Sequence, residues 1–286
     1  RCDDPEALKF ADDAMNFLSE SLKIRKLSLG LDHLTVGDTY QSIGIAHLNR
    51  ALALKSDTVK KESELSNAYQ ALTSAVETRR SFTSIFIKPM GSRPSSELKD
   101  SILMEAHCVF YLGRVEETRS NYDQAKSHYV NALRLFQAEG KQRLSKMSVD
   151  SFELADSEGK LLLELEAINL WAARALYHIA NIHKATSCIG DAVGCYEEAI
   201  RIRSQYKSAK RLNSALIHLD FAKALHDRQN YDKSIECYSY SLRIFLTHFG
   251  KDSLDVADTL TGMGKSFAMK SVFEKTMQCY DKAMRV

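Results

Sequence analysis

The sequence predicts an all-α fold built as a solenoid of stacked helical units. Three observations predict it. First, Cys195, Cys237 and Cys279 are each followed by a tyrosine and fall 42 residues apart, within GDAVGCYEEAIRI (190–202), YDKSIECYSYSLRI (231–244) and FEKTMQCYDKAMRV (273–286). A fixed period of this size marks repeated supersecondary units that bury their apolar faces on one another. Second, SLKIRKLSLGLDHLTVGDTYQSIG (21–44) and SLRIFLTHFGKDSLDVADTLTGMG (241–264) align without a gap at 10 identities in 24 positions. Third, the three prolines, Pro5, Pro89 and Pro94, all lie outside the periodic runs, as long helices require.

The shared residues assign the elements. Gly30 and Gly250 follow helical runs and suit left-handed C-caps. Asp32 and Asp252 stand where the next helix needs an N-cap acceptor. Gly44 and Gly264 lie inside that next helix, where glycine costs roughly 1 kcal/mol against alanine, so close approach of a neighbouring helix is expected. Ala180 and Ala222 take the same place in two other units, and Gly113 is expected at the same contact. In the second helix, Ala125, Ala192, Ser234 and Thr276 are the matching small residues.

In chain order, residues 6–29 read as the second helix of a unit. Helix pairs follow at 34–55 with 58–87, 97–119 with 121–138, 160–186 with 189–206, 211–228 with 231–249, and 253–270 with 272–286. The expectation is one solenoid over 1–286, five pairs plus an N-terminal half unit. KPMGSRPSS (88–96) reads as a proline-bearing loop. Residues 139–159 read as a charged insertion, flexible or forming a short extra helix.

Composition narrows the function classes. A net charge of +2 from 39 basic and 37 acidic residues carries no nucleic-acid or membrane signature. No run approaches the roughly 18 apolar residues of a membrane helix, and no signal peptide is visible. The chain opens on Arg1, so a fragment or a processed product is expected. Six cysteines without a CxxC pair point to free thiols in a reducing compartment, hence a cytoplasmic location. The three repeat cysteines are expected to be buried, since a free cysteine packs as a small hydrophobe.

Chemistry finds little footing. His178 and His183 are five residues apart and share a helix face poorly; His218 and His226 are two turns apart. No metal and no cofactor are expected. There is no GxSxG, no phosphate loop and no Gly-rich strand–helix turn, so no catalytic residue is assigned and an enzyme is not expected. Glu116-Glu117 and Glu197-Glu198 are adjacent pairs that diverge on a helix.

The pattern resembles the tetratricopeptide repeat, on Leu112-Gly113, on Tyr122-x-x-Ala125-x-x-x-Tyr129-x-x-Ala132-Leu133, and on Tyr231-Asp232 ahead of a second helix. The 42-residue period, with LGLDHLTV (29–36) and FGKDSLDV (249–256), is similar to the longer variant of kinesin light chains. The paired asparagines of that variant's first helix are absent: Gln41-Ser42 and Thr261-Gly262 stand there. The resemblance implies a right-handed superhelix whose concave groove is lined by the first helix of each unit. On the helix at 174–185, Arg174, Tyr177, His178, Asn181 and Lys184 make one stripe. Tyr111 and Arg114, Lys223 and His226, and Lys265 extend it on neighbouring first helices, with Asp220 and Asp227 interrupting. A basic groove with aromatic interleaving suits an acidic peptide segment, because arginine forks carboxylates and tyrosine gives a rigid contact. The expected function is therefore a protein-interaction scaffold or adaptor. The alternative is a structural subunit that uses its ends and convex face in a larger assembly.

Overall fold

The structure, a computed structural model, describes residues 5–54, 57–87, 96–147, 155–206 and 211–286. The described residues form eleven helices and no strand: α1 (Pro5–Leu29), α2 (Leu34–Ala53), α3 (Thr58–Ile87), α4 (Ser96–Thr118), α5 (Tyr122–Met147), α6 (Ala155–Ala185), α7 (Ile189–Ser204), α8 (Arg211–Asp227), α9 (Tyr231–Phe249), α10 (Leu254–Met269) and α11 (Phe273–Met284). The chain divides into two compact units, Arg1–Ser151 and Phe152–Val286. In the first, α2 packs on α3 and α4 on α5; in the second, α6 packs on α7, α8 on α9 and α10 on α11.

Each pair closes on a small residue of its first helix. A Cβ on Gly44 would lie 2.6 Å from Cγ of Leu72, one on Gly113 would lie 2.8 Å from Cε1 of Tyr129, and one on Gly264 would lie 2.7 Å from Cε1 of Tyr280. Ala180 clusters with Tyr196, and Ala222 with Tyr238. All five small residues are buried, as the sequence comparison expects. The facing residues Ala125, Ala192, Ser234 and Thr276 are buried too, and Ser234 Oγ donates to the carbonyl of Ala222 at 2.8 Å.

Four turns share one construction. Ser120, Ser187, Gln229 and Ser271 each adopt a positive φ between 58° and 64°. The next residue donates its N–H back across the turn: Asn121 to Glu116, Cys188 to His183, Asn230 to Leu225 and Val272 to Phe267, at 2.8–3.0 Å. This is the left-handed cap that satisfies the last carbonyls of a helix. Gly30 and Gly250 also take positive φ, 88° and 77°.

Several expectations are corrected. The N-caps of α2 and α10 are His33 and Ser253, whose side chains accept from Thr35 and Asp255, not Asp32 and Asp252. Residues 139–147 continue α5, and 155–159 open α6. The charge at 139–143 is used inside the fold: Arg143 Nε donates to Glu139 Oε1 at 2.9 Å, and both residues are buried. Cys279 is buried, but Cys195 and Cys237 are only half-buried. The loop expected at 88–96 lies, apart from Ser96, outside the described residues, as does the centre of the insertion, 148–154. No helix among the described residues is long and apolar enough to cross a membrane.

Candidate functional site

The face formed by the first helices, α6, α8 and α10 in the second unit, carries most of the residues singled out from sequence. Arg174 is exposed on α6, with its guanidinium 4.9 Å from the Trp171 ring. One turn on, the Tyr177 hydroxyl donates to Asp220 Oδ2 of α8 at 2.6 Å. Lys184 Nζ reaches Oδ1 of the same carboxylate at 3.2 Å. Asp220 therefore joins α6 to α8 by two contacts from one side chain. A second bridge follows from α8 to α10, where Lys223 Nζ meets Asp258 Oδ2 at 2.8 Å. Lys265 on α10 is exposed.

The remaining stripe residues turn inward. His178 is buried, 7% exposed, against the Tyr177 ring, so its expected place on an open groove is corrected. Asn181 is half-buried, and its Oδ1 accepts from the Tyr196 hydroxyl of α7 at 2.5 Å. His226 Nδ1 is 2.9 Å from Ser266 Oγ, which in turn is 3.1 Å from Ser234 Oγ, so this ring belongs to a polar chain between α8, α9 and α10.

Tyr111 and Arg114 lie on α4, in the first unit. Tyr111 packs edge-on to Phe110, and Arg114 Nε is 3.7 Å from Glu117 Oε2. Glu117 also accepts from Tyr129 at 2.6 Å. On α2, Gln41, which stands where kinesin-type repeats carry an asparagine, accepts from the buried Arg79 at 3.0 Å. Its side chain serves the packing of the unit.

The charges of the face are thus partly balanced from within. Lys184 and Lys223 each hold a carboxylate from the next first helix; Arg174 and Lys265 are exposed. A grouping that sequence reasoning missed lies at the α6–α7 turn, where ligand atoms of His183, Cys188 and Asp191 all come within 4.8 Å of one another. Comparing histidines only with histidines hid it; the signal was a histidine, a cysteine and an aspartate spanning one turn.

Paired helices closing on small residues, and four identical turns, define a tetratricopeptide-type helical repeat. No protein-family model and no curated protein matches the sequence. Among solved structures, the chain is similar to BtubC (BKLC) from P. vanneervenii, with 14% identity and a TM-score of 0.63 over 96% of this chain and 90% of that one. It is also similar to a putative kinesin light chain of Podosopora anserina with nearly identical TPR-like repeats, at 7% identity and a TM-score of 0.54, covering 88% and 95% of the two chains. The apo form of RapI gives 11% identity and a TM-score of 0.51, covering 96% and 75%. At these identities the likeness defines the fold, which is that of tetratricopeptide-type repeats, kinesin-light-chain-like ones included.

Proposed function

We propose that the chain is a protein-interaction scaffold, and that the α6–α8–α10 face binds an extended acidic segment of a partner protein. The observation that carries this reading is the row Arg174, Lys184, Lys223 and Lys265 on successive first helices, with Asp220 and Asp258 already seated between them. Lys184 and Lys223 hold carboxylates of the fold itself, which supports a face suited to carboxylates. Arg174 and Lys265 are exposed on this face, where a ligand carboxylate can reach them. The Asn181 amide nitrogen is available to donate to a peptide carbonyl. No catalytic role is proposed.

The test is a peptide-array pull-down with wild type, Arg174→Glu and Arg201→Glu, at low and high salt. Arg201 is an exposed cation on the second helix α7, paired with Glu198 at 2.6 Å, and serves as the control. Binding to acidic peptides is expected to weaken with salt, because screening acts on exposed charges. Arg174→Glu is expected to weaken it more than Arg201→Glu. Equal binding by all three proteins overturns the reading.

A second reading, an assembly subunit that engages partners through an end, has one observation in its favour. A cavity of about 550 Å³ lies among α9, α10 and α11, with Leu242, Leu246, Val256, Leu260, Met263 and Phe267 in its lining and Lys251, Lys275 and Lys282 around it. If peptides bind wild type and Arg174→Glu alike, but lose binding with Leu246→Glu, this reading takes precedence.

A further inference from the structure

In two other copies of the repeated turn, side chains at pairs of the same three positions meet. In the α4–α5 turn, Glu116 Oε2 accepts from the side chain of Asn121 at 2.6 Å. In the α10–α11 turn, Lys275 Nζ lies 5.4 Å from the centre of the Phe267 ring. The same backbone bond, from the residue after the positive-φ position back across the turn, holds the first two of these positions next to each other in all four turns. In the α6–α7 turn the three positions hold His183, Cys188 and Asp191. Their convergence is therefore a product of the fold, not of one loop's free geometry.

We propose that His183, Cys188 and Asp191 form a binding site for a single divalent transition-metal cation of the zinc class. The donor set is imidazole nitrogen, thiolate sulfur and carboxylate oxygen, which zinc accepts in a tetrahedron with one position left for water. Thiolate and imidazole together select such a cation over magnesium or calcium. Charge balances: one thiolate and one carboxylate offset the two positive charges. On binding, the Cys188 thiol releases its proton to solvent as the metal–sulfur bond forms, and no redox step is involved.

The geometry divides the labour between a fixed ligand and two adjustable ones. His183 is 8% exposed, held by its packing on α6, with Nδ1 3.8 Å from Asp191 Oδ2. Cys188 and Asp191 are exposed, so their side chains rotate at little cost. Tetrahedral zinc holds its ligand atoms about 3.3–3.8 Å apart. Closing from the separation seen here requires only that the two exposed side chains swing inward onto the imidazole. The site is separate from the peptide reading and stands or falls without it.

The experiment is titration of the full chain with Co²⁺, followed by displacement with Zn²⁺, in wild type, Cys188→Ser and Asp191→Asn. Wild type is expected to bind one equivalent of cobalt, with a thiolate-to-cobalt charge-transfer band and the strong visible bands of tetrahedral cobalt, both erased by zinc. Cys188→Ser is expected to lose the charge-transfer band. Asp191→Asn is expected to bind at least about tenfold more weakly, since even an outer partner of a metal ligand is worth that much. Both substitutions are at exposed positions, so an unchanged helical circular-dichroism signal shows that the fold is intact. No saturable binding by wild type, or a charge-transfer band that survives Cys188→Ser, overturns the proposal.

Discussion

A Cβ on Gly113 would stand 2.8 Å from Cε1 of Tyr129, a ring that is fully buried and anchored by its hydroxyl to Glu117. The ring cannot retreat without breaking that bond. Gly113→Ala is therefore expected to destabilise the chain by about 1–3 kcal/mol through overpacking, in spite of alanine's better helix propensity. Gly194, inside α7, is the internal control, because a Cβ there meets nothing within 4 Å. Gly194→Ala is expected to stabilise by up to about 1 kcal/mol. Urea unfolding of the two variants checks the opposite signs.

The same contact explains how much was legible. Each marker cysteine precedes a tyrosine, and Tyr196, Tyr238 and Tyr280 are the large partners of Ala180, Ala222 and Gly264. The repeated pair was visible because close packing restricts both size classes, but the tyrosine rather than the cysteine carries it. Most helix boundaries were legible because caps and turns use local chemistry, although the N-caps of α2 and α10 fall one residue later than expected, on His33 and Ser253. The extension of α5 was not legible: a charged stretch reads as solvated unless its partner is known, and Glu139 and Arg143 satisfy each other inside the fold. The face residues were legible only as a stripe. Spacing locates a helix face but not the depth to which His178 sinks, nor the carboxylates that Asp220 and Asp258 bring from the next helix.

Arg79 of α3 is 1% exposed and donates to Asp38 Oδ1 of α2 at 2.6 Å. It also bonds Gln41 and approaches the Cys108 sulfur of α4 at 3.6 Å. A buried guanidinium stripped of its carboxylate is costly, whereas removing the charge itself is not. Asp38→Ala is expected to cost about 3 kcal/mol, moderated by the half-exposure of Asp38. Arg79→Met, which fills the space and removes the charge, is expected to cost less. Chemical denaturation of both variants tests the order; a costlier Arg79→Met would show that the hydrogen-bond network outweighs the stranded charge.

Stability is expected to fall as the solution becomes mildly acidic. His218 stacks on Tyr240 at 4.1 Å between ring centres, and its Nδ1 lies 2.7 Å from the Ser214 carbonyl. Burial pushes its pKa down, and the nearby Arg203 guanidinium adds to the shift. The His128 pKa is lowered by burial as well. For a group whose folded pKa is depressed, the unfolded chain binds more protons. The contribution is complete above the unfolded value, about 6.5, and is lost as pH falls through it toward the folded value. Thermal melts between pH 7.5 and 5.5 are expected to show a falling Tm, with a shallower slope in His218→Phe. An unchanged slope in that variant would assign the acid sensitivity to other groups.

Among the cysteines of the described residues, Cys188 is expected to react with thiol reagents first. It is exposed at the start of α7, while Cys108 and Cys279 are buried and Cys195 and Cys237 are half-buried. Accessibility and ionisation act together in Cys108, Cys237 and Cys279, whose thiol pKa values burial raises. Burial pushes the Cys237 thiol up to about 11, with Glu236 adding to the rise. It pushes the Cys108 thiol up to about 12, against the opposing charge of Arg79. Reaction follows the thiolate, and a pKa near 11 leaves only about one thiolate in a thousand at pH 8. Labelling of the native chain with iodoacetamide at pH 8, read by peptide mapping over time, is expected to modify Cys188 well before Cys237 and Cys108. Unfolding in urea should bring the rates together, because it removes both burial and the neighbouring charges. Native Cys237 labelling as fast as Cys188 would mean that the α9 face opens to solvent far more readily than its packing between two apolar clusters allows.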